Sequence, residues 1–288
     1  MSSSNETSSE NRYVINIEEA AETARLMEQD RLFTQAMGGL FPERSGDISH
    51  IEEILDIACG PGGWALEVAF QYPDTQVVGI DINPQMIQYA FAQARTRQLQ
   101  NVTFEVVDAL KPLPFSDGSF DLVNARLLVG FMDQESWPRL LAECKRILRP
   151  GGVIRLTESD GWTSNSHAVQ QIFGYLCQVL ALQKRTFSID GHSFGLVHQL
   201  GKLLRDTGFE KIEKRAFFVD SSCGADSHYI VYKDMEILFS LIKPYIIKSG
   251  LVEDEEYDRL YNRMLADMLG DDFTSISFGL ITWGVKPS

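Results

Sequence analysis

Cysteine is scarce in this chain. The 288 residues hold four, Cys59, Cys144, Cys177 and Cys223, with no C-x-x-C pair. That excludes a disulfide framework and a zinc ribbon, leaves no expected metal site, and suits a reducing cytoplasm. Long apolar runs are missing too. None approaches the roughly 20 residues of a membrane span, so no membrane partner is expected. The first eleven residues are rich in Ser, Asn and Glu and lack an apolar stretch. They do not read as a signal peptide, and a disordered tail is expected over residues 1–12. Basic residues are in short supply: 26 Lys and Arg stand against 40 Asp and Glu, a net charge of −14. A nucleic-acid grip needs clustered Lys and Arg. The only dense charge run is acidic, Glu253-Asp254-Glu255-Glu256. Acids suit the positive end of a helix dipole, so this run reads as a solvated helix start. No nucleic-acid partner is expected, and internal repeats are absent.

What the chain does have is enough apolar sequence for a sizeable core, 44% of its residues. Its rhythm is strand and helix in alternation, over five strands. Helical spacing over 16–37 is followed by Gly38-Gly39 and a loop. Strands are predicted over 51–57, 76–80, 102–107, 120–125 and 153–158, with helices between them at 63–72, 84–97 and 134–148. The strand segments are nearly all apolar, as in parallel strands covered on both faces. After Glu158 the rhythm changes. Helices are predicted over 168–182 and 194–205 and a strand over 211–219. A largely helical stretch, 227–268, is expected to break near Pro244 and Ser249-Gly250, and the last strand is 277–285. The predicted fold is α/β, a doubly wound, Rossmann-like, seven-stranded and mostly parallel sheet with helical lid additions. Its expected parts are a lid segment at 13–50, a core at 51–159, a helical addition and core helix at 160–207, and the last two strands at 208–288. A helical insertion is expected within the last part at about 227–270.

The chemistry centres on Asp56-Ile57-Ala58-Cys59-Gly60-Pro61-Gly62-Gly63. An apolar strand, a glycine turn and a helix start bring backbone and unpaired N–H groups to one spot. Gly60 to Ala65 satisfies G-x-G-x-x-A, the dinucleotide fingerprint, and Asp81 follows where a ribose acid would stand. Three details count against a dinucleotide. Pro61 lacks an N–H. Asp56 sets a carboxylate where a pyrophosphate would be repelled. Asp108 ends the third strand, where it could read an adenine amine. A cradle lined with acids suits a cationic cofactor without phosphates, and S-adenosylmethionine (SAM) fits that description.

These motifs resemble those of the class I SAM-dependent methyltransferases. Asp56 to Gly62 resembles D-x-G-C-G-x-G, with Ala58 where glycine is usual, a small replacement expected only to stiffen the turn. Val78 to Asn83, continued by Pro84-Gln85-Met86, resembles the second motif. Asp108-Ala109 with Leu113 to Val123 resembles the third and fourth, and Leu148 to Gly152 the turn before strand five. The resemblance implies roles. Gly60 and Gly62 would let the methionine part of SAM lie on the backbone. Asp56 would position the loop and the amino group. Asp81 would take both ribose hydroxyls, with Ile82 on the adenine and Met86 nearby. Asp108 would accept from the adenine amine beside Ala109 and Leu110. Asn124 would lie near the methionine amine and sulfonium. Arg126 could hold the SAM carboxylate or an acidic acceptor, or act as a structural ion-pair partner. In many small-molecule methyltransferases a helix like the one ending at Met37-Gly38 covers the methionine end, and Tyr13 could close over the cofactor.

Methyl transfer from a sulfonium needs alignment and dryness, and a base only where the acceptor must lose a proton. Glu158 at the end of strand five and His192 in the Asp190-Gly191-His192-Ser193 loop are the candidates for that role. The aromatic-rich additions would enclose a small apolar or aromatic acceptor. The expected enzyme is a small-molecule methyltransferase acting on O, N or C, with S-adenosylhomocysteine as product. A homodimer is compatible with the family. The alternatives are a SAM-binding regulatory or scaffold protein without transfer, a macromolecular methyltransferase, and a nicotinamide oxidoreductase, which Pro61 and Asp56 disfavour.

Overall fold

The computed structural model describes residues 20–288. The expected tail, Tyr13 and the first residues of the predicted lid helix lie outside them. The strands are β1 (Glu53–Ile57), β2 (Gln76–Asp81), β3 (Val102–Val106), β4 (Phe120–Arg126), β5 (Leu148–Ser164), β6 (Glu210–Asp220) and β7 (Ser275–Val285). They form one sheet in the order β3-β2-β1-β4-β5-β7-β6. β7 alone runs antiparallel to its neighbours.

Strand alternation divides the core. Ile54 points into a cluster with Val77, Leu122, Trp64 and Phe41. Leu55 and Ile57 point the other way, to Ile80, Val123 and Ile154. The first face is covered by α1 (Ala20–Met37), α2 (Gly63–Gln71) and α3 (Pro84–Thr96), the second by α4 (Ser136–Ile147), α5 (His167–Leu182) and α6 (Leu200–Asp206). Two further helices, α7 (His228–Lys248) and α8 (Asp254–Met268), stand between β6 and β7. β6 ends at the same edge as β1, β2 and β4, so these helices rise at the carboxyl edge. α7 packs on α1, and α8 on α5. Among the described residues, no helix is long and apolar enough to cross a membrane.

Three elements depart from expectation. β5 runs well past Glu158, because β7 pairs with it as far as Ser164↔Ser275 across a bulge between Ser159 and Trp162. The partner strand, not local sequence, carries Ser159-Asp160-Gly161 onward. The helix predicted from Phe194 begins at Leu200. Gly195 has φ +63°, and a Cβ there would lie 2.4 Å from the Ser188 backbone nitrogen, so a close backbone crossing replaces the first turn. Pro244 does not break α7, which passes through it. Pro244 and Ser240 are both exposed, so water can serve the carbonyl that proline leaves without a donor.

Candidate functional site

β1 delivers Asp56 and the glycine turn to the carboxyl edge. Ala58, Gly60 and Gly62 all have positive φ, +54°, +53° and +81°. The turn is held by Cys59 N–H donating to the Ile80 carbonyl at 2.9 Å and Gly62 N–H to the Cys59 carbonyl at 3.0 Å. A Cβ on Gly62 would sit 2.8 Å from Ala90 Cβ and 2.9 Å from the Phe104 ring, so only glycine fits. Ala58 does more than stiffen the turn. It holds an L-residue in the left-handed region, which costs about 1–2 kcal/mol.

Asp81 reaches back from β2. Its Oδ2 accepts from Gly60 N–H at 3.0 Å and its Oδ1 from Asn83 N–H at 2.9 Å. Each carboxylate oxygen keeps a lone pair for a ligand hydroxyl. Burial pushes this carboxyl up from its ordinary value, and the N–H groups of Asn83, Gly60 and Ile82 oppose it. Asn83 caps α3, accepting from Gln85 N–H at 2.8 Å, with Pro84 in the first helical position. Ile82 is half-buried beside this cap. Met86 is buried, and Thr23 Oγ1 donates to its sulfur at 3.8 Å, so it seats α1 on the cradle. Asp108 closes a short turn, accepting from Leu110 N–H at 3.0 Å, and Lys111 lies 3.5 Å from its other oxygen. Ala109 and Leu110 beside it are half-buried.

Asp56 is buried and accepts from Asn124 Nδ2 at 2.8 Å. Burial pushes its carboxyl up to about 6, against the pull of Arg126, the Asn124 amide and Arg155. Asn124 itself is fully buried, with Arg155 Nη1 donating to its Oδ1 at 2.8 Å. Its side-chain amide is thus engaged by Asp56 on one side and Arg155 on the other. Asp56, Asn124 and Arg155 are register partners across β1, β4 and β5, so their side chains share one face.

Arg126 forms an ion pair with Asp30 of α1 and donates to Thr34 Oγ1 at 3.4 Å. Of the roles open to it, the ion-pair one is occupied. Asp30 was not foreseen, and nothing in Met27-Glu28-Gln29-Asp30-Arg31 marks it out. A Cβ on Gly63 would lie 2.4 Å from Asp30 Oδ2. A carboxylate of the chain thus lies against the start of α2, where a pyrophosphate would need to sit. The helix meets the turn here and at Leu26, whose Cδ1 is 4.0 Å from a Cβ built on Gly60. Met37 and Gly38 are elsewhere. Met37 packs with Phe217 and Ile281, and Gly38 (φ +90°) ends the helix near Pro42.

Neither base candidate is set at the turn. Glu158 is 1% exposed, and its Oε1 accepts from Leu128 N–H at 2.7 Å. Burial pushes it up to about 8, opposed by the N–H groups of Leu128 and Val129. It shapes the bend after β4, where Leu127 has φ +55°. His192 is exposed in a self-bonded loop, its N–H donating to Asp190 Oδ1 at 3.0 Å, and its ring lies against Gly174 in α5. Among the described residues no cluster suits a metal ion.

Residues 54–152 match the family model described as Methyltransferase domain. This stretch is a methyltransferase domain. A demethylmenaquinone methyltransferase from Deinococcus radiodurans is 40% identical over 105 residues, 36% of this chain and 42% of that one. A 27-O-demethylrifamycin SV methyltransferase from Amycolatopsis mediterranei is 35% identical over 136 residues, 47% of each. The chain thus spans less than half the length of these relatives. Phosphoethanolamine N-methyltransferase 2 of Haemonchus contortus, solved with S-adenosyl-L-methionine, superposes with a TM-score of 0.54 at 20% identity. That match covers 94% of this chain and 59% of the other, and it is a likeness of fold. The methyltransferase domain carries the glycine turn, Asp81, Asp108, Asn124 and Arg126. Asp30 and Glu158 come from outside it.

Proposed function

We propose that this protein transfers a methyl group from S-adenosylmethionine to a small apolar or aromatic acceptor at O, N or C. The observation that carries the reading is the ring of carboxylates on the glycine turn: Asp56 behind it, Asp81 bonded to it, and Asp30 against the start of α2. Such a ring repels phosphates and attracts an ammonium and a sulfonium. When bound, SAM would supply an already activated methyl group. The chain's work is then binding, alignment and water exclusion. Asp81 takes the ribose diol with its free lone pairs, Asp108 reads the adenine amine between Ile82 and Leu110, and Asp56 draws the ammonium. α1 and α7 roof the edge and keep it dry. Glu158 acts by shaping the chain after β4.

The two relatives are named for small-molecule acceptors, demethylmenaquinone and 27-O-demethylrifamycin SV, which supports an acceptor of that size. The four unpaired cysteines suit a reducing cytoplasm, and sedimentation tests for a homodimer. The decisive experiment is calorimetry with SAM, S-adenosylhomocysteine and NADH. Binding of both adenosyl compounds is expected. Silence with both, together with NADH binding, would overturn the cofactor. Radiolabelled methyl transfer to a panel of phenols, quinols and amines then identifies the acceptor. SAM binding without transfer to any of them would favour a regulatory role.

A further inference from the structure

Arg155 stands in the middle of an apolar strand, Val153-Ile154-Arg155-Leu156, and is fully buried. A guanidinium so placed needs partners for its donors. Its Nε donates to Glu43 Oε1 at 2.8 Å, its Nη1 to Asn124 Oδ1 at 2.8 Å, and its Nη2 to the Met37 sulfur at 3.9 Å. The Trp64 ring centroid lies 6.0 Å from its Cζ. Glu43 belongs to a short 3-10 turn, Pro42–Arg44, that follows α1.

The chemistry of this row leaves one arrangement. Arginine can only donate, and a carboxylate can only accept. An asparagine between them must turn its oxygen to Arg155 and its nitrogen to Asp56. Without the guanidinium the amide could turn over and point its oxygen at Asp56. Other charged groups also act on Asp56. Arg126 on β4 and Arg155 on β5 favour its charge, and Asp30 on α1 opposes it. Asp81 and Asp56 both act on the Cys59 thiol beside them.

We infer that Arg155 is a positioning residue for the cofactor acid Asp56, acting through the Asn124 amide that it orients, with Glu43 as its anchor. The inference rests on the SAM reading above. Arg155 touches no ligand itself. It keeps the hydrogen bond that lets Asp56 stay ionised beside a cation, so its loss changes the pH range over which the cofactor binds.

The test is SAM affinity against pH by calorimetry. In the wild type, affinity falls as pH drops and Asp56 gains its proton. Two variants are compared, Arg155→Lys and the charge-neutral double Glu43→Gln with Arg155→Met. The lysine keeps a buried cation paired to Glu43 but lacks the planar fork that reaches Glu43 and the amide at once. The double variant removes both charges of the pair, so no lone ion is left in the core. In both, the acid limb is expected to move to higher pH, by on the order of one unit in the double variant, which loses the cation and the hydrogen bond, and by less in the lysine variant, which keeps the cation. A folded variant of either kind whose limb coincides with that of the wild type overturns the inference. Failure of the wild type to bind SAM at all would instead overturn the cofactor reading. For a readout free of substitution, the Asn124 side-chain amide is followed by NMR in the wild type. It must titrate together with the acid limb, and an amide that does not move with it overturns the relay.

Discussion

At the scale of single residues, the glycine turn carries a strain that the sequence understates. Ala58 sits at φ +54°, and glycine is free of the Cβ clash there. Ala58→Gly is expected to raise stability by about 0.5–1 kcal/mol, part of the gain being lost to glycine's greater freedom when unfolded. Urea denaturation checks this, and a lower midpoint would show the turn to be unstrained. Asp81 is a second such residue. Asp81→Ala is expected to weaken SAM binding by roughly 1.5–3 kcal/mol, the scale of hydrogen bonds to a charged group. Unchanged affinity in a folded variant would remove Asp81 from the ribose. Glu158 sets a pH dependence. Its carboxyl is raised to about 8 in the fold, above its unfolded value, so the folded state holds the proton more tightly. The stability this gives is complete at pH below about 4.5 and is lost as pH rises through about 8. Glu158→Gln keeps an acceptor for Leu128 N–H and cannot ionise. It should flatten that slope and gain roughly 1–3 kcal/mol at pH 8, read from denaturation at pH 5, 6.5 and 8. A slope equal to that of the wild type would place the titration elsewhere.

At the scale of elements, α1 is a strut between cradle and lid. It touches Met86 through Thr23, the turn through Leu26 and Asp30, and α7 through Arg25, which holds Glu22 and Asp234 in a buried triad at 2.7 Å to each. Removing the shared cation leaves two acids facing each other out of water, whereas neutralising Asp234 leaves the Glu22 pair intact. Arg25→Leu should therefore cost about 3 kcal/mol or more and Asp234→Asn much less, by chemical denaturation. Equal losses would mean that the triad is not the joint. How legible these elements were depended on where the information lay. Asn83-Pro84 announced α3, and the apolar runs announced the parallel strands, because cap and burial signals are local. The length of β5 was not legible, since β7 pairs with it from more than a hundred residues away. Nor was the passage of α7 through Pro244, which depends on the solvent exposure of Ser240. Arg155, charged within an apolar run, was a visible anomaly. Asp30 was one acid among several on a helix, and only the packing of α1 shows its place.

At the scale of the whole molecule, the sheet, α1 and the α7–α8 pair form a closed circuit. A cofactor gripped at the turn is gripped on both sides, by the core and by the strut. SAM is therefore expected to slow amide exchange not only in residues 54–63 and 80–86 but also along α1 and α7, far from the turn in sequence. Hydrogen exchange with and without SAM decides this. Protection confined to the core strands would show the lid to be independent of the cofactor. The acceptor's identity is absent from the sequence for the same reason that the lid is informative: α1 and α7 meet only in the fold, and no contiguous motif spans them.

Asp30 has one more consequence. Adenosine is the shared half of SAM and of the phosphorylated adenine nucleotides, so a site that reads adenine and ribose alone would be crowded by competitors. A carboxylate at the start of α2, paired with Arg126, would withhold that cation from a phosphate while leaving the common half legible. It would act as a filter against the wrong adenosine rather than as a grip on the right one. Asp30→Asn, which frees Arg126, is then expected to let ATP compete with SAM, as read by displacement calorimetry.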